Sequence, residues 1–519
     1  MKIRFSQLCA AVCTLLFALL PVVLGGCASH AGSGISDARG SAGGADGRPT
    51  AAKHSAEVSG VFPLVNGADA FVARMALAEK AQRSLDLQYY IWHGDQTGKL
   101  LAGAVIQAAE RGVKSRLLLD DMGVAAKDRN LLILDSHPNI EVRLFNPLPL
   151  RSARMLGVLL DFQRVNRRMH NKSFIVDGKV AIVGGRNIGD EYFGVAEGMN
   201  FADFDVVARG PVVGEVEDSF ELYWNSEASV PITKVSRVKV SDAEIQKEVK
   251  DLVSQRESMA RSPYGQIMRS SRLAKATLNG LPFYEGRAVV VADHPNKVLT
   301  RPDDASTHLA PQLRAMVERA KGEVLLVSPY FIPGKNGVDW FAELRKRGVK
   351  VTVITNSLAS TDVAAVHAGY IRYRKSLLRG GVEVCEMKAV PPAPGEKSGY
   401  GGSSFSLTGS SKAGLHAKTF VFDRRWVFVG SMNLDPRSLN LNTEVGMLVD
   451  SPELAQQMLG DLERKFSERA YHVELTPDGL QWTTKEDGKI VVLKSEPKGG
   501  FKKGLMLRIC SMLPIESQL

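Results

Sequence analysis

The sequence predicts an α/β fold made of two α/β/α repeats, packed as a pseudo-dimer around one active site. Three observations predict it. A strand–helix–strand pattern occurs twice, once within residues 84–119 and again within residues 323–354. Each unit is followed by the same short motif, His-x-Lys, at His170/Lys172 and at His416/Lys418. The chain has 519 residues, 44% hydrophobic and 24% charged, which is enough apolar material for two large cores.

Residues 1–26 read as a secretory signal peptide. Lys2 and Arg4 precede an apolar run over residues 8–24, broken by Pro21 and short for a membrane span. Its end, Leu24-Gly25-Gly26-Cys27, resembles a bacterial lipoprotein cleavage box, in which Cys27 would carry the lipid. Diacylation there would anchor the chain stably, since each buried CH₂ contributes about 0.8 kcal/mol. An ordinary signal peptide, or an uncleaved anchor, with a chance cysteine is the plain alternative. Residues 27–60, rich in Gly, Ala and Ser, read as a flexible tether. Beyond Cys27 only Cys385 and Cys510 remain, so neither a disulfide framework nor a zinc site is expected.

The first repeat is expected over residues 61–235. Residues 84–90 alternate like a strand, a helix is expected near 98–111 ending at Gly112, and residues 113–119 form the next strand. The second repeat is expected over 301–475, with a strand at 323–330, a helix at 339–347 capped by Gly348, and a strand at 349–354. Arg-Gly-Val turns close both helices and imply a parallel or mixed sheet covered by helices. Residues 236–300 read as an interdomain connection, with a charged amphipathic helix at 241–259 and an irregular stretch at 262–286. Residues 476–519 read as a C-terminal tail. The Pro/Gly/Ser-rich stretch 389–414 runs into His416 and reads either as a mobile loop beside the site or as a plain insertion.

The two motifs share their spacing. His170-Asn171-Lys172 is followed by Asp177, Gly184 and Asn187; His416-Ala417-Lys418 is followed by Asp423, Gly430 and Asn433. A lone His-x-Lys is weak evidence, but four matched intervals at the ends of two repeats are strong. On a strand, His and Lys two apart share one face. The aspartates fall at hairpin turns and read as structural. The return strands bring Asn187 and Asn433 back toward the His-Lys face. Two facing hairpins would surround a phosphodiester with two imidazoles, two ammonium groups and two carboxamides.

That set suits phosphoryl chemistry. Lys172, Lys418, Asn187 and Asn433 would hold the non-bridging oxygens. One histidine would attack phosphorus, and the other would protonate the leaving oxygen and later deprotonate the acceptor. Asp203 and Glu444 are the expected partners of the imidazoles, with Asp205 the rival of Asp203. No metal and no cofactor is called for. Ser431 reads as a modest hydrogen-bond donor, its counterpart being Gly185. His367 reads as lining a helix near the site.

This pattern resembles the phospholipase D superfamily, whose signature is two His-x-Lys-x4-Asp repeats each followed by Gly-Ser/Gly-x-Asn. The resemblance covers the chain beyond about residue 60. It implies two phospholipase D-like repeats, one shared site and ping-pong chemistry, with His170 at the position of the usual nucleophile and His416 at that of the acid. Met169-His170-Asn171-Lys172-Ser173, the run from Gly184 through Phe193, and the run from Thr355 through Asp362 resemble the cardiolipin synthase C-type branch. That branch implies transfer of a phosphatidyl group onto phosphatidylglycerol. Where other cardiolipin synthases use transmembrane helices, this chain has the lipoprotein-type N-terminus.

The net charge is +10 and the sequence pI about 9.2, which suits an anionic partner. Anionic and zwitterionic phospholipids and a membrane surface are the expected partners. A lipid anchor in the cell envelope, facing the periplasm or exterior, disfavours cytoplasmic nucleic acid. Two basic and apolar stretches, 151–168 and 501–509, are candidates for headgroup contact; each reads equally as a buried helix or a tail. A phospholipase D hydrolase is the alternative activity, a nuclease-type phosphodiesterase a weaker one, and a non-enzymatic envelope lipoprotein the weakest.

Overall fold

The computed structural model describes residues 57–519 apart from 125–127, 152, 197–199, 276–279, 390–412, 498–500 and 514. The signal, Cys27, most of the tether and nearly all of stretch 389–414 lie outside the described residues.

The first half carries β1 (Val58–Leu64), β2 (Ser84–Tyr89), β3 (Lys114–Asp120), β4 (Ile140–Phe145), β5 (Ser173–Val176), β6 (Val180–Gly184), β7 (Asn200–Ala202), β8 (Asp205–Arg209) and β9 (Ser229–Pro231). The second carries β10 (Tyr284–Ala292), β11 (Glu323–Val327), β12 (Lys350–Asn356), β13 (Glu383–Met387), β14 (Ala413–Leu415), β15 (Lys418–Phe422), β16 (Trp426–Gly430), β17 (Val445–Asp450) and β18 (Ala470–Thr476). The hairpin β19 (Gly479–Glu486) and β20 (Lys489–Leu493) extends the edge beyond β18.

Following the pairings gives the order β9-β4-β3-β2-β5-β6-β8-β1 in the first half. The second half runs β10-β17-β16-β15-β11-β12-β13-β18. The two orders mirror each other, with β2-β3-β4 and β11-β12-β13 parallel and the remaining pairs antiparallel. Parallel neighbours need crossovers: the helices Gln96–Glu110 and Asp128–Asp135 supply them in the first half, Gly334–Lys346 and Ala364–Arg379 in the second. β1 pairs antiparallel with β10, so the two half-sheets are joined edge to edge.

Three apolar clusters fill the molecule. One belongs to the first half and one to the second. The middle cluster draws Val61, Phe145, Ile175 and Val206 from one half and Leu325, Ile354, Val421 and Met447 from the other. The halves thus share a core, and fully buried aliphatic side chains of this kind contribute roughly 1.5–3 kcal/mol each.

The charged helix of the connection runs Asp242–Arg261, opened by a capping box between Ser241 and Glu244. The stretch read as irregular at 262–286 instead contains the helices Pro263–Ser270 and Arg272–Lys275 and the start of β10. β10 is easy to miss because Glu285 and Arg287 stand exposed on it and Gly286 interrupts its pattern. Gly286 is required there: a Cβ would lie 2.3 Å from the Asp450 carbonyl oxygen of β17.

Candidate active site

Both His-x-Lys segments sit just before the first strand of a hairpin. His170 and Lys172 precede β5, and His416 precedes β15, whose first residue is Lys418. The hairpins β5–β6 and β15–β16 have matched register, Ser173 opposite Val183 and Thr419 opposite Val429. Asp177 and Asp423 form the tight turns at the far ends, both with positive φ (56° and 51°). Each carboxylate accepts three consecutive backbone N–H groups. Asp177 takes those of Gln82, Arg83 and Ser84, and Asp423 those of Lys321, Gly322 and Glu323. These contacts hold the carboxyls of Asp177 and Asp423 below the usual range, although partial burial opposes the shift. The two aspartates pin hairpin tips to the strands β2 and β11.

The two hairpins meet across the seam between the halves. The backbone N–H of His170 donates to the Thr443 carbonyl at 2.8 Å, and that of His416 to the Ala202 carbonyl at 2.8 Å. β14, which leads into His416, runs parallel to β7 of the first half. Thr443 and Ala202 immediately precede Glu444 and Asp203, so the pairing hands each histidine a carboxylate from the opposite half. His170 Nδ1 lies 2.8 Å from Glu444 Oε2, and His416 Nδ1 lies 2.6 Å from Asp203 Oδ2. Asp205 does not compete, because it is engaged by Arg74 at 2.9 Å.

With Nδ1–H given to a carboxylate, each ring directs its Nε2 lone pair away from that partner. Burial pushes the His170 pKa down to about 4; the ammonium of Lys172 adds to this and Glu444 opposes it. His416 is lowered by burial and by Lys418, against Asp203. Burial lowers Lys172 well below its ordinary value and Lys418 to about 8. Burial would raise Glu444 and Asp203, but His170 and Lys172 hold the first down, and His416 and Lys418 the second. These shifts favour neutral imidazoles beside ionised carboxylates. Both lysines also donate back to the carbonyl of their own motif histidine.

Asn187 is fixed from two sides: its Oδ1 accepts from the Ile91 N–H at 3.1 Å, and its Nδ2 donates to the Tyr192 hydroxyl at 2.9 Å. Asn433 is equally buried, and its Oδ1 has no hydrogen-bond partner among the described residues. The Ser431 hydroxyl donates to Glu444 Oε2 at 2.5 Å. Its counterpart must be Gly185, since a Cβ there would lie 2.2 Å from Asp203 Oδ1. His367 pairs with Glu496 at 2.6 Å on the helix Ala364–Arg379.

Several neighbours escaped sequence reasoning. Tyr90 stands edge-on to His170 and Tyr192 edge-on to His416, each with ring centroids 5.3 Å apart. Asp120 accepts from the Met169 N–H at 2.8 Å while pairing with Arg168 at 2.8 Å, fixing the approach to His170. Asp293 accepts from the Glu444 N–H at 2.7 Å. Arg186 donates to the Asp203 carbonyl and to those of Leu64 and Val65. Only the adjoining Tyr89-Tyr90, at the end of β2 and just beyond it, offered a signal in sequence. His93, Asp95 and Glu191 also bring metal-ligand atoms together, but Asp95 already caps the helix Gln96–Glu110.

A family model described as "Cardiolipin synthase, PLD-like domain" matches residues 75–224 and 313–466. Cardiolipin synthase C of Escherichia coli (strain K12) is 42% identical over 472 residues, covering 90% of this chain and 98% of its own. Cardiolipin synthase B of the same strain is 27% identical over 399 residues, covering 77% of this chain and 78% of its own. The crystal structure of phosphatidylserine synthase from Haemophilus influenzae Rd KW20 shares the fold, with a TM-score of 0.51 at 14% identity over 78% of this chain and 85% of that one. The mirrored half-sheets, the paired motifs and this likeness agree: the chain belongs to the phospholipase D superfamily, in its cardiolipin synthase C-type branch.

Proposed function

We propose that this protein is a phosphatidyltransferase that makes cardiolipin by moving a phosphatidyl group onto phosphatidylglycerol. The observation that carries the reading is the reciprocal pairing of His170 with Glu444 and of His416 with Asp203. It leaves two imidazoles whose Nε2 atoms have no hydrogen-bond partner among the described residues, in one buried, lysine-flanked site. In the first step His170 Nε2 attacks phosphorus, the bond to the headgroup oxygen breaks, and His416 delivers the proton to that oxygen. An incoming phosphodiester brings the negative charge that raises the His416 pKa toward the protonated form. In the second step the glycerol hydroxyl of phosphatidylglycerol attacks the phosphohistidine, the P–N bond breaks, and His416 takes the proton. Lys172, Lys418, Asn187 and Asn433 hold the non-bridging oxygens throughout.

The phosphatidyl group must come from a lipid surface. Leu156, Leu159, Leu160 and Phe162, on the segment leading to His170, are 51%, 42%, 72% and 37% exposed. Leu505 and Met512 of the tail are exposed as well. Such apolar side chains suit insertion at the headgroup boundary. Among the described residues no helix is long and apolar enough to cross a membrane. We assign attachment to lipidated Cys27, with the body facing the periplasm or the cell exterior.

The test supplies the protein with vesicles of labelled phosphatidylglycerol, with and without phosphatidylethanolamine. Labelled cardiolipin is expected; phosphatidic acid alone would mean a hydrolase. Loss of the protein from the membrane fraction on Cys27→Ser tests the anchor.

A further inference from the structure

Residues 355–362, Thr-Asn-Ser-Leu-Ala-Ser-Thr-Asp, are not used by the chemistry above. They begin at the end of β12, beside His416. Asn356 engages both backbone groups of Leu415: its Nδ2 donates to the carbonyl at 2.9 Å and its Oδ1 accepts from the N–H at 3.0 Å. In the first half, Asp120 at the end of β3 holds Met169 in the corresponding way. Ser360 Oγ lies 3.0 Å from Asn356 Oδ1 and 2.9 Å from the Met387 carbonyl, which fixes the turn.

The turn ends in Asp362, whose exposed carboxylate accepts from the Tyr330 hydroxyl at 2.7 Å. Tyr330 is held beside Asn433 of the same motif. Its carbonyl accepts from Ser328 Oγ at 2.8 Å, and the next residue, Phe331, bridges to Leu434, which follows Asn433. The charge of Asp362 is felt by His416, by Lys418 and by Tyr192. The matching bridge in the first half joins Trp92 to Ile188, which places Ile91 where the second half has Tyr330. The pair is therefore one-sided, lying on the His416 side only.

A carboxylate repels the phosphate that the lysines attract, so its ligand is another part of the substrate. In the reaction proposed above, the group handled by His416 is the alcohol, both as it leaves and as it enters. A carboxylate accepts hydrogen bonds from hydroxyls. The Tyr330 oxygen, while its O–H donates to Asp362, can accept a hydrogen bond itself. We infer that Asp362 and Tyr330 form a subsite for the hydroxyl groups of a glycerol-type alcohol, next to the hydroxyl that reacts. This rests on the phosphatidyltransferase reading. In the step it serves, the alcohol oxygen bonds to phosphorus, the P–N bond to His170 breaks, and the alcohol proton passes to His416.

The alcohol could be a lipid headgroup or free glycerol, and one experiment separates them. Wild type, Asp362→Asn and Tyr330→Phe are given vesicles of labelled phosphatidylglycerol, with no addition, with isotopically distinct glycerol, or with ethanol. The readout is each transfer product divided by phosphatidic acid in the same mixture, a ratio that impaired folding alone does not move. Asp362→Asn is expected to lower the ratio for glycerol-type acceptors about tenfold, the scale of one lost charge-assisted hydrogen bond. The ratio for ethanol, which has only its reacting hydroxyl, should hold. A fall in cardiolipin identifies a lipid-borne acceptor, and a fall confined to glycerol exchange identifies free glycerol. Equal change for ethanol and glycerol, or no change, overturns the subsite. Absence of every transfer product in the wild type overturns the phosphatidyltransferase reading itself.

Discussion

Glu444 serves a histidine 274 positions away in the chain: its Oε2 lies 2.8 Å from His170 Nδ1. Asp203 returns the arrangement to His416. Glu444→Gln is therefore expected to damage the chemistry of the first half's histidine, and Asp203→Asn that of the second's. An amide cannot fix the same tautomer, and losses of about 10²- to 10⁴-fold in kcat are expected. Rapid quenching of the phosphoenzyme separates them: Glu444→Gln should slow its formation, whereas His170→Ala should abolish it.

The asymmetry between Ser431 and Gly185 gives a second test. Ser431→Ala removes one hydrogen bond to Glu444 and should cost about tenfold in kcat or less. Gly185→Ala forces a Cβ to within 2.2 Å of Asp203 Oδ1 and should be the more damaging of the two. Equal kcat losses in steady-state assays would contradict the geometry.

The turn aspartates predict stability effects. Asp177→Ala removes the acceptor of three backbone N–H groups and leaves a positive φ without a residue suited to it. A loss of about 2 kcal/mol or more is expected in urea unfolding, and a smaller one for Asp177→Asn, which tolerates that φ. The Asp177 pKa is lowered on folding. Its contribution is thus present above the unfolded carboxylate value of about 4 and is lost as pH falls through the folded one.

His170 predicts a pH signature. An ordinary histidine is about three-quarters protonated at pH 6, but His170, pushed down to about 4, should remain neutral with its proton on Nδ1. Nitrogen-15 NMR of the imidazole checks this. The sign for stability follows: the unfolded state binds more protons between about pH 4 and 6.5, so this contribution is full above that window, falls as pH drops through it and levels off below it.

The exposed leucines predict lipid binding. Leu156→Ser with Leu160→Ser should weaken partitioning onto anionic vesicles by about tenfold or more. Since both side chains are solvent-exposed, the urea midpoint should barely move. Sedimentation with vesicles measures the first and circular dichroism the second.

The hairpins were legible in sequence because their geometry is local: period-two strands, a turn aspartate and a returning glycine fix their register within some eighteen residues. Asp203 and Glu444 could be nominated from their positions after Asn187 and Asn433. That each crosses to the other half could not, since no local pattern records which strands meet at a distance of more than 200 residues. β10 was hidden by its exposed charges and Gly286. His367 reads from sequence as lining a helix near the site; it stands on the helix Ala364–Arg379 and pairs with Glu496, a contact that depends on how the tail returns.

The exchange of carboxylates leaves this enzyme no half-built state. A fragment holding one repeat would keep an imidazole without its acceptor and a carboxylate without its donor. Competence at both histidines consequently depends on the seam where His170 meets Thr443 and His416 meets Ala202.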